Sequence, residues 1–377
     1  MTQAIDWDAA VARAASVGRA GPPIDRQGLL ALVASLRQAA ADAPAYVADV
    51  TGLHEAAEIA ADQPALIVDR PRWAEAATET FASLTDGLLP VSRMPGAARL
   101  AGEQLGWVLA LLGTRVLGQF DPYVSPEPGR GRLLVVAPNV LSVQRQLDAD
   151  AQDFHLWVCL HEQTHAVQFA AAPWLADHLK TALAQVIGSE DDTKDGDGEE
   201  SDDGGTVSLL TRLRRTLRRG DGEGESDGDP DVGPDPEVPA DAETPPDAAA
   251  GPGVLDAVLE PEQRAALTEA VAVMSLLEGH ADVVMDEVGP SAIPTVKQIR
   301  AGFEKRRDER TLTALLMRRL LGMDAKLAQY RNGAVFVRGV REKVGHSGLN
   351  AVFAGPENLP TAAEIADPDA WVARVHG

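Results

Sequence analysis

Residues 161 to 165 read His161-Glu162-Gln163-Thr164-His165, two imidazoles four positions apart with a carboxylate beside the first. In an α-helix, positions i and i+4 stand one above the other, so both rings can point at one metal ion. At about 100° per residue, Glu162 lies roughly 60° around the axis from His165. Its carboxylate then sits near a metal-held water without being a ligand. The chemistry this spacing suits is hydrolysis by activated water, with zinc (Zn2+) holding the water and Glu162 as general base.

The stretch Phe154 to Ala172 that carries the motif is strongly apolar and contains no Gly or Pro. Asp153 is placed to cap its start and Pro173 to mark its end. A buried helix is expected, and two imidazoles with a carboxylate inside it require partners, which a metal ion supplies. The plain alternative is a pair of core histidines bonded to backbone. A catalytic zinc site takes three protein ligands and keeps one position open. Glu278 is the expected third ligand, in a second helix opening near Pro261 and stopping at Gly289-Pro290. Helical spacing sets Val271, Met274, Ser275, Glu278, Asp282 and Met285 along one side, so two acids interrupt a mostly apolar stripe. Asp282, one turn on, is expected to accept a ligand imidazole N–H. An ordinary acid pair is the competing reading. His280, about 200° from Glu278, faces away from that stripe.

Composition separates one segment from the rest. Residues 189–251 are almost entirely Asp, Glu, Gly, Pro, Ser and Thr, apart from a short basic island. With 20 acidic and 6 basic residues the segment carries net −14 of the chain's −23. Such a stretch buries too little apolar surface to pack and is expected to be a disordered insert. Its island TVSLLTRLRRTLRRG has the spacing of a basic amphipathic helix or of a transient helix in a linker. Residues 297–343 hold 13 basic and 5 acidic residues, so an intramolecular contact with the insert is expected. No base-stacking motif accompanies the basic run, which disfavours nucleic acid as a partner. No apolar run is long enough for stable membrane insertion, and the start MTQAIDWDAA lacks signal-peptide regions, so a cytoplasmic location is expected. The single cysteine, Cys159, excludes an internal disulfide framework and is expected to serve packing.

Arg132 to Ala137 is the clearest strand candidate, closed by Pro138-Asn139, and Ala334 to Arg338 is a second, after the Asn332-Gly333 turn signal. The first could present its edge to an extended substrate or lie in the core. Tyr330 and His346 are candidate donors to a transition-state oxyanion. The chain thus divides into an N-terminal helical region (1–130), a strand with the metal-binding helix (131–188), the acidic insert (189–251) and a C-terminal helical region with the third ligand (252–377).

The segments FHLWVCLHEQTHAVQFAAAPWLADHL, LLEGHADVVMD and GLNAVFAGPENLPTAAEIADPDAWVARV, with DWDAAV and VDRPRWAEA nearer the start, resemble the actinobacterial zincin-like metallopeptidase type 2 family. The resemblance implies a mainly α fold with a small β component, zincin-like, interrupted by the insert. It also implies a zinc hydrolase, without naming its substrate, with His161, Glu162 and His165 carried over directly; a peptide or protein is the substrate expected here. Glu278 with Asp282 is similar to the glutamate zincin arrangement, in which an ExxxD helix gives the third ligand and a supporting acid. Glu278 follows His165 by 113 positions, a long separation that the insert accounts for as an excursion. The family also carries a label of association with coenzyme F420 biosynthesis, from which no chemistry follows. The alternative function is a non-catalytic, metal-stabilised binding or maturation protein.

Overall fold

The computed structural model describes residues 4–89, 94–188, 259–308 and 333–377. The acidic segment 189–251, its basic island, Tyr330 and much of the basic stretch 297–343 lie outside the described residues.

Helices dominate. From the N-terminus run α1 (Trp7–Val17), α2 (Arg26–Thr51), α3 (His54–Ala61), strand β1 (Ala65–Val68), α4 (Arg70–Thr85) and α5 (Ala97–Leu112). There follow β2 (Gly118–Asp121), β3 (Arg132–Val136), α6 (Ala137–Leu147), α7 (Ala151–Ala171) and α8 (Leu175–Ile187). The rest comprises α9 (Pro261–Ala292), α10 (Val296–Asp308), α11 (Gly333–Leu349), two short 3-10 turns, α12 (Ala362–Ala366) and α13 (Pro368–His376). No described helix is long and apolar enough to cross a membrane.

The small β component is one sheet of order β1-β3-β2, with β1 parallel and β2 antiparallel to β3. The strand expected at 132–137 is therefore the central one, and Leu133 to Val136 are buried. Its edge is unavailable to a substrate. The outer edge nearest the metal-binding helix belongs to β2, whose four residues Gly-Gln-Phe-Asp lack an alternating pattern. The expected boundary at residue 130 falls within this sheet, since β1 and β2 lie before it and β3 after it. Ala137 joins α6 rather than the strand, because Pro138 fits the first turn of a helix, where its missing N–H costs nothing.

Helix α7 packs against α2, α3, α9 and β2. Alanines and a valine at 39, 40, 43 and 47 line the buried side of α2 and leave room for the polar groups of α7 to reach backbone. Gln163 Nε2 donates to Ala40 O at 2.9 Å, and the buried Cys159 thiol lies 3.7 Å from Leu36 O, a packing role. The cap of α7 is Asp150, whose carboxylate accepts from Gln152 N and Asp153 N. Asp153, the expected cap, instead accepts from Thr295 N at 2.7 Å and Thr295 Oγ1 at 2.6 Å. It thereby fastens the start of α7 to the turn between α9 and α10.

The second expected strand, 334–338, is helical and belongs to α11. Phe336, Val337 and Val340 are its buried residues, a helical spacing that a five-residue window of β-branched and aromatic residues does not reveal. Gly333 serves a helix crossing rather than a hairpin turn. A Cβ there would meet Ser275 O, and one on Gly279 would meet Gly333 and Ala334 backbone atoms, so α9 and α11 approach through paired glycines. Helix α9 bends near its end at Gly289 (φ 61°), a left-handed conformation that glycine adopts without steric cost.

Candidate metal centre

His161 and His165 project from α7 and Glu278 from α9, and their ligand atoms all lie within 4.8 Å of one another. The separations are 3.2 Å between the two Nε2 atoms, 3.4 Å from His165 Nε2 to Glu278 Oε1 and 3.6 Å from His161 Nε2 to Glu278 Oε2. A tetrahedron with metal–ligand bonds of 2.0–2.1 Å has edges of about 3.3 Å. The two imidazoles face different oxygens of Glu278 at separations near such an edge, so the three residues could share one ion, and among the described residues the group stops at three. The Glu278 side chain is 55% exposed and the two histidines 28% and 13%, so the face opens toward solvent on the Glu278 side.

Proton placement points the same way. His165 Nδ1 lies 2.9 Å from Gln168 Oε1 and must donate to it. His161 Nδ1 lies 3.3 Å from Met285 Sδ, a weak acceptor. With both Nδ1 atoms protonated, two Nε2 lone pairs and a carboxylate face one another, an arrangement that a shared proton or a metal ion relieves. Burial opposes charge on His165, but the bond to Glu278 and the charges of Glu278 and Glu162 outweigh it and raise its pKa. Burial, and then the neighbouring His165, hold His161 down.

Glu162 is buried behind the histidines against β2. The Phe120 backbone N–H bonds its carboxylate, and burial pushes its pKa up to about 7. Gly118 sits against the same side chain: a Cβ there would lie 2.6 Å from Glu162 Cγ and 3.0 Å from Oε1. Both contacts follow from strand alternation. Leu117 O accepts from Val136 N, so residues 117 and 119 direct their peptide groups to β3 while Gly118 and Phe120 direct theirs to the outer edge.

The other expected site residues lie apart. Asp282 faces Arg300, whose Nη2 donates to Asp282 O at 3.0 Å and whose Nη1 is 3.8 Å from its carboxylate. The acceptor beside the His165 imidazole is Gln168 instead. His346 Nε2 lies 3.1 Å from Glu287, nine residues beyond Glu278 and so about 180° around α9. It does not join the centre. Tyr330 is outside the described residues. Sequence reasoning missed Gln168, Gly118 and the Phe120 amide. Gln168, a polar residue three after His165 in a buried helix, left the one usable signal.

The zincin-like metallopeptidase family matches the chain over residues 5–372. The chain is also similar to the crystal structure of a "putative hydrolase with a novel fold" from Chloroflexus aurantiacus, with 27% identity, a TM-score of 0.63 and 99% of each chain covered. No curated protein shows a significant match. A match over nearly all of the sequence, joined to a His-His-Glu cluster that could hold one metal ion, leads to one conclusion: the chain belongs to the zincin-like metallopeptidase family.

Proposed function

We propose that the chain is a zinc-dependent hydrolase that cleaves amide bonds in peptides, with His161, His165 and Glu278 as metal ligands and Glu162 as general base. The observation that carries this reading is the convergence of His161, His165 and Glu278, with ligand atoms within 4.8 Å of one another, beside a buried, strand-held carboxylate. Bound zinc would polarise the scissile carbonyl and lower the pKa of a coordinated water toward neutrality. Glu162 takes the proton of the attacking water and returns it to the leaving amine. A carboxylate whose pKa is pushed to about 7 suits both transfers near neutral pH. The Phe120 N–H fixes the direction of that carboxylate. The outward peptide groups of Gly118 and the outward Phe120 carbonyl give an extended substrate a short strand edge on which to align, the Phe120 N–H being taken by Glu162. A purely structural metal site closes its fourth position and has no use for a carboxylate at the base position.

The test compares wild-type protein with Glu162→Gln for zinc content and for digestion of a diverse peptide library. Equal zinc with cleavage lost in the variant supports the proposal. Zinc-loaded wild type that cleaves nothing would overturn catalysis and favour a metal-stabilised binding protein.

A further inference from the structure

Gln168 is wholly buried, and its one amide group touches three partners. Nε2 lies 2.9 Å from Leu277 O and 3.0 Å from His280 Nδ1, while Oε1 lies 2.9 Å from His165 Nδ1. Reversing the amide would set Oε1 against the Leu277 carbonyl oxygen at 2.9 Å, acceptor against acceptor. The orientation is therefore forced. Oε1 must accept from His165 Nδ1–H, and Nε2 must donate to His280 Nδ1 and to Leu277.

Two consequences follow for the centre. A neutral His165 carries its proton on Nδ1 and presents a bare Nε2 toward His161 and Glu278, the tautomer a metal ligand requires. Leu277 directly precedes Glu278, so the same amide ties the helix bearing two of the ligands to the helix bearing the third. We infer that Gln168 is the positioning residue of this centre, fixing the tautomer of His165 and the register of α7 on α9. Outer hydrogen-bond partners of metal-ligating histidines hold ring orientation in this way, and their loss typically weakens metal binding about 10- to 100-fold. The inference rests on the metal reading above, but its first test needs no metal.

The experiment is ¹⁵N NMR of the histidine side chains in metal-free, full-length protein at a pH near 9, where ordinary imidazoles are neutral. Wild type is expected to show His165 in the Nδ1–H form. Gln168→Met, of similar length but without the amide, is expected to move His165 toward the Nε2–H form and to raise the zinc Kd about 10- to 100-fold. Gln168→Glu keeps the acceptor toward His165 but sets its second oxygen against the Leu277 carbonyl, so it is expected to restore the Nδ1–H form without restoring the zinc Kd. A role limited to packing would give both variants the same tautomer as wild type. An Nε2–H His165 in wild type would overturn the inference without any variant, as would an unchanged tautomer and zinc Kd in Gln168→Met. Wild type with the Nδ1–H form but no affinity for zinc would instead overturn the metal reading on which the inference rests.

Discussion

Adding one methyl group at Gly118 should disable Glu162, the proposed general base, while leaving the proposed metal ligands in place. An ideal Cβ at Gly118 lies 2.6 Å from Glu162 Cγ, 2.9 Å from Cδ and 3.0 Å from Oε1. Carbon atoms rest about 3.5–4.0 Å apart, so strand and side chain must separate by roughly 1 Å. Gly118 is not among the positive-φ glycines, so an alanine is compatible with the backbone. The displacement falls on Glu162 or on the strand holding it, and either breaks the alignment set by the Phe120 N–H. A misplacement of about 1 Å can cost on the order of 100-fold in rate, or about 2.7 kcal/mol of barrier. The assay is kcat/KM of Gly118→Ala on the best peptide found by library digestion, with zinc content measured on the same preparation. The expected result is a fall of about 100-fold with zinc unchanged. Wild-type turnover by a folded, zinc-loaded Gly118→Ala protein would refute the placement of Glu162 against β2.

Two further outcomes are expected. Gly279→Ala should lower the melting temperature although alanine favours a helix by about 1 kcal/mol, because its Cβ meets Gly333 and Ala334 backbone atoms and such overpacking costs about 1–3 kcal/mol or more; a thermal melt no lower than that of wild type would contradict the glycine crossing. His155 is buried, with Nδ1 2.8 Å from Ser35 Oγ, and burial lowers its pKa from 6.5 to about 4. The unfolded chain therefore binds the extra proton first, and stability is lost as pH falls from 6.5 toward 4, by on the order of 3 kcal/mol. Melting temperature against pH should be flatter over that window in His155→Leu; parallel curves would contradict a neutral buried imidazole.

The two helices that build the centre were legible because their signals are long. Nineteen residues without Gly or Pro marked α7, and Pro261 with Gly289-Pro290 bounded α9. Short or tertiary features were not legible. Residues 334–338 carry a strand-like local composition, and only the contact of Gly333 with Ser275 explains the glycine. β1 and β2 are four residues each and lack alternation. The side of α9 that carries Glu278 was read as an interrupted apolar stripe, yet Met274 is 47% exposed and that side is the rim of an opening. The buried side runs through Val273, Leu276, Leu277, His280 and Val284. Asp282 stands only about 40° from Glu278, and a sequence cannot show that Arg300 from α10 waits there. Gln168 was missed because a buried amide declares its role only through its three partners.

The most direct measurement is zinc binding itself, by elemental analysis and calorimetry on full-length wild type, His165→Ala and Glu278→Ala. The expected result is one zinc ion per wild-type chain, with each variant weakened beyond the ~10- to 100-fold typical of losing an outer hydrogen-bond partner. Wild-type protein that binds no zinc, or a His165→Ala variant that holds it as tightly, would contradict a centre built from His161, His165 and Glu278.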